Sequence, residues 1–342
     1  MNNNRKVKGK IIATIVGQSK SSLPKRGAEE IKGARSSPSY SLILPKYRII
    51  KQQKSKINGQ ELELNTKAFL PENILVEASM TVDDIFSAQT LEFKEKLVDE
   101  AERLLGKQSI EKNFSEGFTM FLISGYQASP DQFLPFAEQI AMLLKSESVP
   151  LDQTEISNTL ASKIQYTKDD LTIVDWDGAF IFDPKGDWQD TIDLLELANI
   201  HLLHLRYLDF QLDQRLEKTV KLLQKMPKVK AKEVRSTMRE LMGLRTQSII
   251  EFEETERNVK LYGDWYAAKL YDLAMRKFHI PDWSHTIREK LKSLEDIYTM
   301  AAENFSVTAE TRAERIQIAL WFVLILGWFL LLFFEIYFAV WK

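Results

Sequence analysis

The sequence predicts an α+β protein: an N-terminal two-layer α/β sandwich, with ferredoxin-like connectivity as one option, then long α-helices, a heptad helix and one C-terminal transmembrane helix. Three observations predict it. Short β-rich runs alternate with helical stretches up to Asp183, no strand pattern follows Pro184-Lys185-Gly186, and Ile318–Phe334 is seventeen residues without a polar side chain. The boundaries that result are residues 1–40 as a basic flexible arm, 41–186 as the α+β domain, 187–314 as a long-helix and coiled-coil domain, and 315–342 as a membrane tail anchor.

At 342 residues and 44% apolar content the chain can build a sizeable core, and its net charge of −2 does not suggest a nucleic-acid binder. The charge is unevenly spread, however. Residues 1–56 carry fourteen Lys/Arg against only Glu29 and Glu30. Ser19–Tyr40 mixes Ser, Gly, Pro and Lys with few large apolar residues, which is the composition of a solvated arm. Cations at this density with few aromatics suit phosphate or anionic-lipid contact rather than base readout, so RNA, a ribosome or anionic lipid are its candidate partners. A mitochondrial presequence is also open, because residues 1–28 contain no acid; Ile11–Gly17 is too short for the core of a secretory signal. The chain has no cysteine, which excludes disulfides, thiolate metal sites and a cysteine nucleophile, and fits a reducing compartment.

Within the α+β part, strands are expected at Asn73–Ala78 and Phe118–Tyr126 and helices over Asp83–Leu105 and Asp131–Lys145. LTIVDW-DG-AFIFD reads as a hairpin in which Asp177-Gly178 supplies the positive backbone angles of a two-residue turn. From Asp187 or Asp190 a helix should run about 55 Å to Met226, where Pro227 stops it. A second long helical stretch covers Lys230–Phe278. In the third, Ile287, Leu291, Leu294, Tyr298, Ala301 and Phe305 follow a 4-3-4-3-4 spacing, a heptad seam flanked by charges. That seam can pack on the chain's own helices or on copies of itself; the second makes the protein a homo-oligomer.

Ile318–Phe334 with Ile336–Trp341 is long enough for a hydrocarbon core of about 30 Å. Trp321 and Trp328, with Tyr337 and Trp341, put aromatic rings toward both interfaces. Arg312 and Arg315 precede the span and only Lys342 follows it, which places the bulk of the protein on the cytoplasmic, or mitochondrial matrix, side of an inner membrane. Glu335 is the one ionisable residue in the span, where it can snorkel to the interface, pair between helices or serve an ion path.

Chemistry is sparsely signalled. There is no phosphate-cradling glycine loop, no zinc-protease helix motif, no nucleophile elbow and no dinucleotide glycine pattern. His201 and His204 lie i,i+3 on one helix face, with Asp209 as a possible third metal ligand, inside an apolar stretch where histidines commonly serve as hydrogen-bonded packing residues. Asp175, Asp177 and Asp183 can be imagined on magnesium, but Asp is also an ordinary turn residue. The reading is therefore non-enzymatic, with no cofactor and no small-molecule substrate.

DLTIVDWDGAFIFD, WYAAKLYDLAMRKFHIPDWSHTIREKLKSLEDIYTMAAEN and TRAERIQIALWFVLILGWFLLLFFEI, within about Asp170–Ile336, resemble the late strand pair, the paired helices and the membrane lead-in of the family required for meiotic nuclear division. That resemblance implies an oligomeric, non-enzymatic membrane anchor, one of whose mitochondrial members supports organellar translation. The expectation is thus a membrane-held scaffold or tether. The alternative is a magnesium-type transporter, since the cobalt/magnesium channel family also sets helices above a span. That family has two spans joined by Gly-Met-Asn, a tripeptide absent here.

Overall fold

The computed structural model describes residues 6–19, 47–57, 59–69, 73–109, 114–224, 236, 239, 242–243, 246, 249–250 and 265–340, apart from the side chains of 57, 219, 222–224, 298, 301–313 and 338–340. Its α+β architecture starts with strands β1 (Gly9–Gln18), β2 (Tyr47–Ile57), β3 (Gln60–Phe69) and β4 (Asn73–Val82). Helix α1 (Gln89–Leu105), β5 (Ser115–Ile123), a 3₁₀ turn (Pro130–Phe136), α2 (Ala137–Lys145) and α3 (Gln153–Ala161) follow. Short strands β6 (Lys163–Ile164), β7 (Leu171–Val174) and β8 (Gly178–Phe182) lead to α4 (Gln189–Gln224), α5 (Trp265–Lys277) and α6 (Ile280–Val340).

The eight strands form one sheet in the order β2-β3-β4-β1-β5-β8-β7-β6, antiparallel except for β5 beside β8. β1 is its centre, pairing along its length with β4 and for most of it with β5. This corrects the assignment of residues 1–40 to an arm, because Ile11, Ala13, Ile15 and Val16 are all within 2% of complete burial. The strand was hidden by its flanks: Lys6, Lys8 and Lys10 before it and the Ser/Lys-rich run after it made a short apolar segment look incidental. Both of its faces are covered, so the strand reads as a continuous apolar run and not as an alternation.

One face packs on α1 and α2 through Leu97, Ala101, Ile140 and Leu144. On the other, Val16, Phe69 and Leu75 meet Ile200 and Leu203 of α4, and Phe118 meets Phe278, just beyond α5, edge to face at 5.3 Å. The sheet thus has helices on both sides, the second layer coming from the helical half of the sequence. Accordingly one compact unit comprises Met1–Phe210 with Ser248–Ile287, and a second comprises Gln211–Gln247 with Arg288–Lys342. The boundary expected at 186 falls inside the first unit, because α4 supplies apolar cover that the sheet needs.

The β7–β8 hairpin forms where expected, with a different turn. The Asp175 N–H donates to the Gly178 carbonyl, so Trp176 and Asp177 occupy the turn and Gly178 opens β8. Neither Asp177 nor Gly178 has a positive φ. Glycine is needed at 178 for proximity: a Cβ there would lie 2.4 Å from the Thr119 carbonyl oxygen of β5.

Candidate functional site

Polar side chains concentrate on the α4 side of the sheet, where apolar strands are interrupted by Lys67 in β3 and Glu77 in β4. The Lys67 Nζ lies 2.6 Å from Glu77 Oε1, 2.8 Å from Glu196 Oε2 and 3.9 Å from Asp193 Oδ1, with the last two carboxylates presented by successive turns of α4. All four residues are buried. Asn65 Nδ2 donates to Glu77, Gln189 Nε2 donates to Asp193, and the Tyr47 ring sits 5.0 Å from the ammonium.

Three acids around one lysine cannot all be ionised cheaply in this setting. Burial pushes Glu196 well above the usual carboxylate range, with Lys67 opposing and Glu77 adding to the shift. Burial acts on Glu77 in the same direction, but Lys67 and a hydrogen bond from Glu196 bring it below its ordinary value. The shared lysine thus favours the ionised form of Glu77, while burial disfavours that of Glu196. Burial alone would lower Lys67, yet Glu196 and Glu77 more than offset it and hold the ammonium charged. Burial and Asp193 push the Tyr47 hydroxyl to about 12.

His201 and His204 extend this polar face along α4. His204 Nε2 lies 2.9 Å from Asn73 Nδ2, and His201 Nδ1 lies 3.2 Å from the Tyr271 hydroxyl of α5. Burial depresses His201 to about 3, with a smaller push from His204, and His204 to about 4. Both rings join α4 to its neighbours, Asn73 of β4 and Tyr271 of α5, and burial favours their neutral forms. Among the described residues no group of three His, Cys, Asp or Glu side chains is placed to hold a metal, so Asp209 does not complete a ligand set with them.

A second cluster surrounds the β7–β8 turn. Asp175 accepts from Lys145 at 3.1 Å, Lys277 at 3.3 Å and Thr159 at 3.4 Å, joining α2, α5 and α3 to the hairpin. Burial would raise this carboxyl, but Lys277 and Lys145 hold it below its usual range. Burial raises Asp177, with Lys94 opposing. Asp183 accepts from the backbone N–H groups of Lys185 and Asp187. The three aspartates considered for magnesium thus have separate surroundings: lysines at Asp175, a half-buried turn at Asp177, backbone amides at Asp183.

In α6 the seam divides. Ile287 is 1% exposed and Leu294 6% exposed within the single chain, while Leu291 is half-buried. The side chains of Tyr298, Ala301 and Phe305 lie outside the described residues. In the second unit Lys290 Nζ pairs with Asp213 Oδ1 of α4 at 2.6 Å, so this stretch of α6 has a partner in its own chain. Further on, the most apolar 18-residue window of Glu314–Tyr337 has a mean hydropathy of 2.5 and none of it is buried. Trp321, Trp328 and Tyr337 are exposed along it, Glu335 lies near its end, and Trp341 is outside the described residues.

The model of the N-terminal domain of the uncharacterised protein MJ0711 matches residues 62–188, from β3 to the threshold of α4. MJ0711 of Methanocaldococcus jannaschii is 30% identical over 299 residues, covering 87% of this chain and 90% of that one. The chain belongs to the MJ0711 family. The near full-length match with MJ0711 takes in the helical half as well as the sheet. No solved structure matches.

Sequence reasoning missed the Lys67 network and the role of β1. A signal for the first was present: Lys67, Glu77 and Glu196 each interrupt an apolar run (TKAFL, ILVEASM, LLELANI), and an isolated charge in such a run is affordable only beside an opposite one.

Proposed function

We propose that this MJ0711-family protein is a non-enzymatic, single-pass membrane tether that self-associates and presents its α+β head to a polyanionic partner. The carrying observation is the exposed apolar surface of Glu314–Tyr337, which belongs to the same continuous helix, Ile280–Val340, whose first turns are part of the head unit. An unburied apolar helix of this length is at home in hydrocarbon and costly in water. Arg312 and Arg315 before the span set the head on the cytoplasmic side of an inner membrane, by the bias of cations flanking a span. The likeness to the family required for meiotic nuclear division supports the same reading and adds a ribosome or RNA as the partner; anionic lipid is the other polyanion.

The basic surface for that partner is redrawn by the sheet. Residues 9–18 are central strand, so the cations to test are Lys20, Lys25, Arg26, Lys32 and Arg35 in the connection to β2, with Arg48, Lys51, Lys54 and Lys56 exposed on edge strand β2. Replacing the first five by Gln leaves β1 intact. Full-length protein is purified with its partners: ribosomal proteins or RNA lost from the Gln variant support the tether, whereas an unchanged partner set removes the basic segment from the function. Protease digestion of the head in inverted but not in right-side-out vesicles tests the sidedness.

A magnesium-type transporter is the second reading, favoured by one residue, Glu335 inside the span. Magnesium flux into vesicles that disappears in Glu335→Ala would replace the tether with that reading.

A further inference from the structure

The two edges of the sheet are built differently. β6, at one edge, is two residues long and offers almost no ladder to extend. β2, at the other, is eleven residues long, and among the described residues no strand pairs with its outer side. A bulge between Ile49 and Lys51 shifts its register with β3, after which Lys51–Ile57 runs without a break opposite Gln60–Thr66. Alternate residues of that stretch turn their backbone N–H and carbonyl groups away from β3, so the edge presents a row of outward donors and acceptors.

β2 carries Arg48, Lys51, Lys54 and Lys56 and no acid, and all four cations are exposed. They guard the edge against a second copy of itself, since pairing two β2 strands would crowd like charges together. They do not guard it against an acidic strand. Lys54 stands opposite Glu63, 3.9 Å from it, on the face where Lys67 meets α4, and Lys56 shares that face; Arg48 and Lys51 lie on the other. A phosphate backbone or a membrane laid on either face would reach one pair of cations and leave the other pair on the far side. Tyr47 is the one aromatic residue of β2 and is half-buried, so the strand has no platform for stacked bases. A strand added in the plane of the sheet alternates its side chains between the two faces, and so reaches Lys51 on one and Lys54 and Lys56 on the other.

We infer that the β2 edge is a docking site for an acidic polypeptide, which joins the sheet as an additional strand along Lys51–Ile57 and places carboxylates from alternate residues opposite Lys54 and Lys56. Main-chain hydrogen bonds hold the added strand, and the cations select its charge. This assigns a protein ligand to the β2 part of the basic surface, and it stands apart from the membrane residence of the span and from whatever the Lys20–Arg35 connection holds.

The full-length protein in nonionic detergent is titrated into a fluorescein-labelled octapeptide that alternates glutamate and threonine, and the anisotropy is read. Saturable binding is expected. The same peptide N-methylated at every residue keeps its charges but loses its N–H groups, and should bind about tenfold more weakly or worse. The double variant Lys54→Glu with Lys56→Glu should release the acidic peptide and take up one that alternates lysine and threonine, a reversal that misfolding does not produce. Equal binding of the N-methylated peptide would reduce the contact to charge alone and overturn the assignment. Displacement of the acidic peptide by an equal concentration of octauridylate would overturn it too, making β2 a phosphate surface, as would the absence of saturation by about 1 mM peptide. If the double variant does not fold, the N-methyl comparison on the parent protein decides.

Discussion

At the residue scale the head is held by polar groups placed where only paired ones are tolerable. His201 and His204 are neutral when folded, with values of about 3 and 4 against about 6.5 in an unfolded chain. As pH falls the unfolded chain binds protons first, so the stability these rings contribute is complete above about 6.5 and is lost progressively toward about 4. Glu196 runs the other way, because its raised carboxyl is protonated earlier in the folded state. Comparing the parent with His204→Gln isolates the histidine: glutamine can bond Asn73 but does not titrate. Between pH 7 and pH 5 the parent should lose about 2 kcal/mol relative to that variant, measured by denaturant unfolding. A constant difference over that range would contradict a neutral, buried His204. Lys67→Met should destabilise by about 3–5 kcal/mol, since it strands buried carboxylates without their cation. A loss below about 1 kcal/mol would mean that the acids escape to solvent.

At the element scale the sequence was most readable where a run had its own punctuation. The strands at Asn73 and Phe118, α1, α2 and the β7–β8 hairpin all stand close to where periodicity and turn residues put them. β1 was not legible, because its partners begin more than fifty residues away in β4 and more than ninety away in β5, and nothing local marks a strand that lies between Lys-rich flanks. Asp177-Gly178 marked the hairpin correctly for a different physical reason, closeness to Thr119. Gly178→Ala should therefore cost roughly 1–3 kcal/mol of stability, an overpacking effect that a glycine chosen for φ would not show in this form. The heptad was legible as an apolar stripe, whereas its partner was not. Ile287 and Leu294 are covered within one chain, so Ile287→Asp should lower the melting temperature of the full-length protein in detergent without first changing its mass. Dissociation of an oligomer at an unchanged melting temperature would instead place the partner of Ile287 on another copy.

At the scale of the whole molecule two kinds of surface divide the labour. The head conceals its charges in pairs around Lys67 and Asp175, and α6 carries its apolar residues in the open from Glu314 to Tyr337. The apolar segment could be read from composition alone, since no fold is needed to see seventeen consecutive apolar residues. What the sequence did not disclose is that the helix bearing this apolar segment begins at Ile280 in the head unit, after His279 breaks from α5 with a positive φ of 51°. The tether account rests on that span residing in a bilayer. Alkaline carbonate extraction of membranes from cells expressing the full-length chain tests it most directly: the protein should stay in the membrane pellet, and move to the supernatant when Leu324 and Leu326 are both replaced by Lys. Release of the unaltered protein by carbonate would contradict the account.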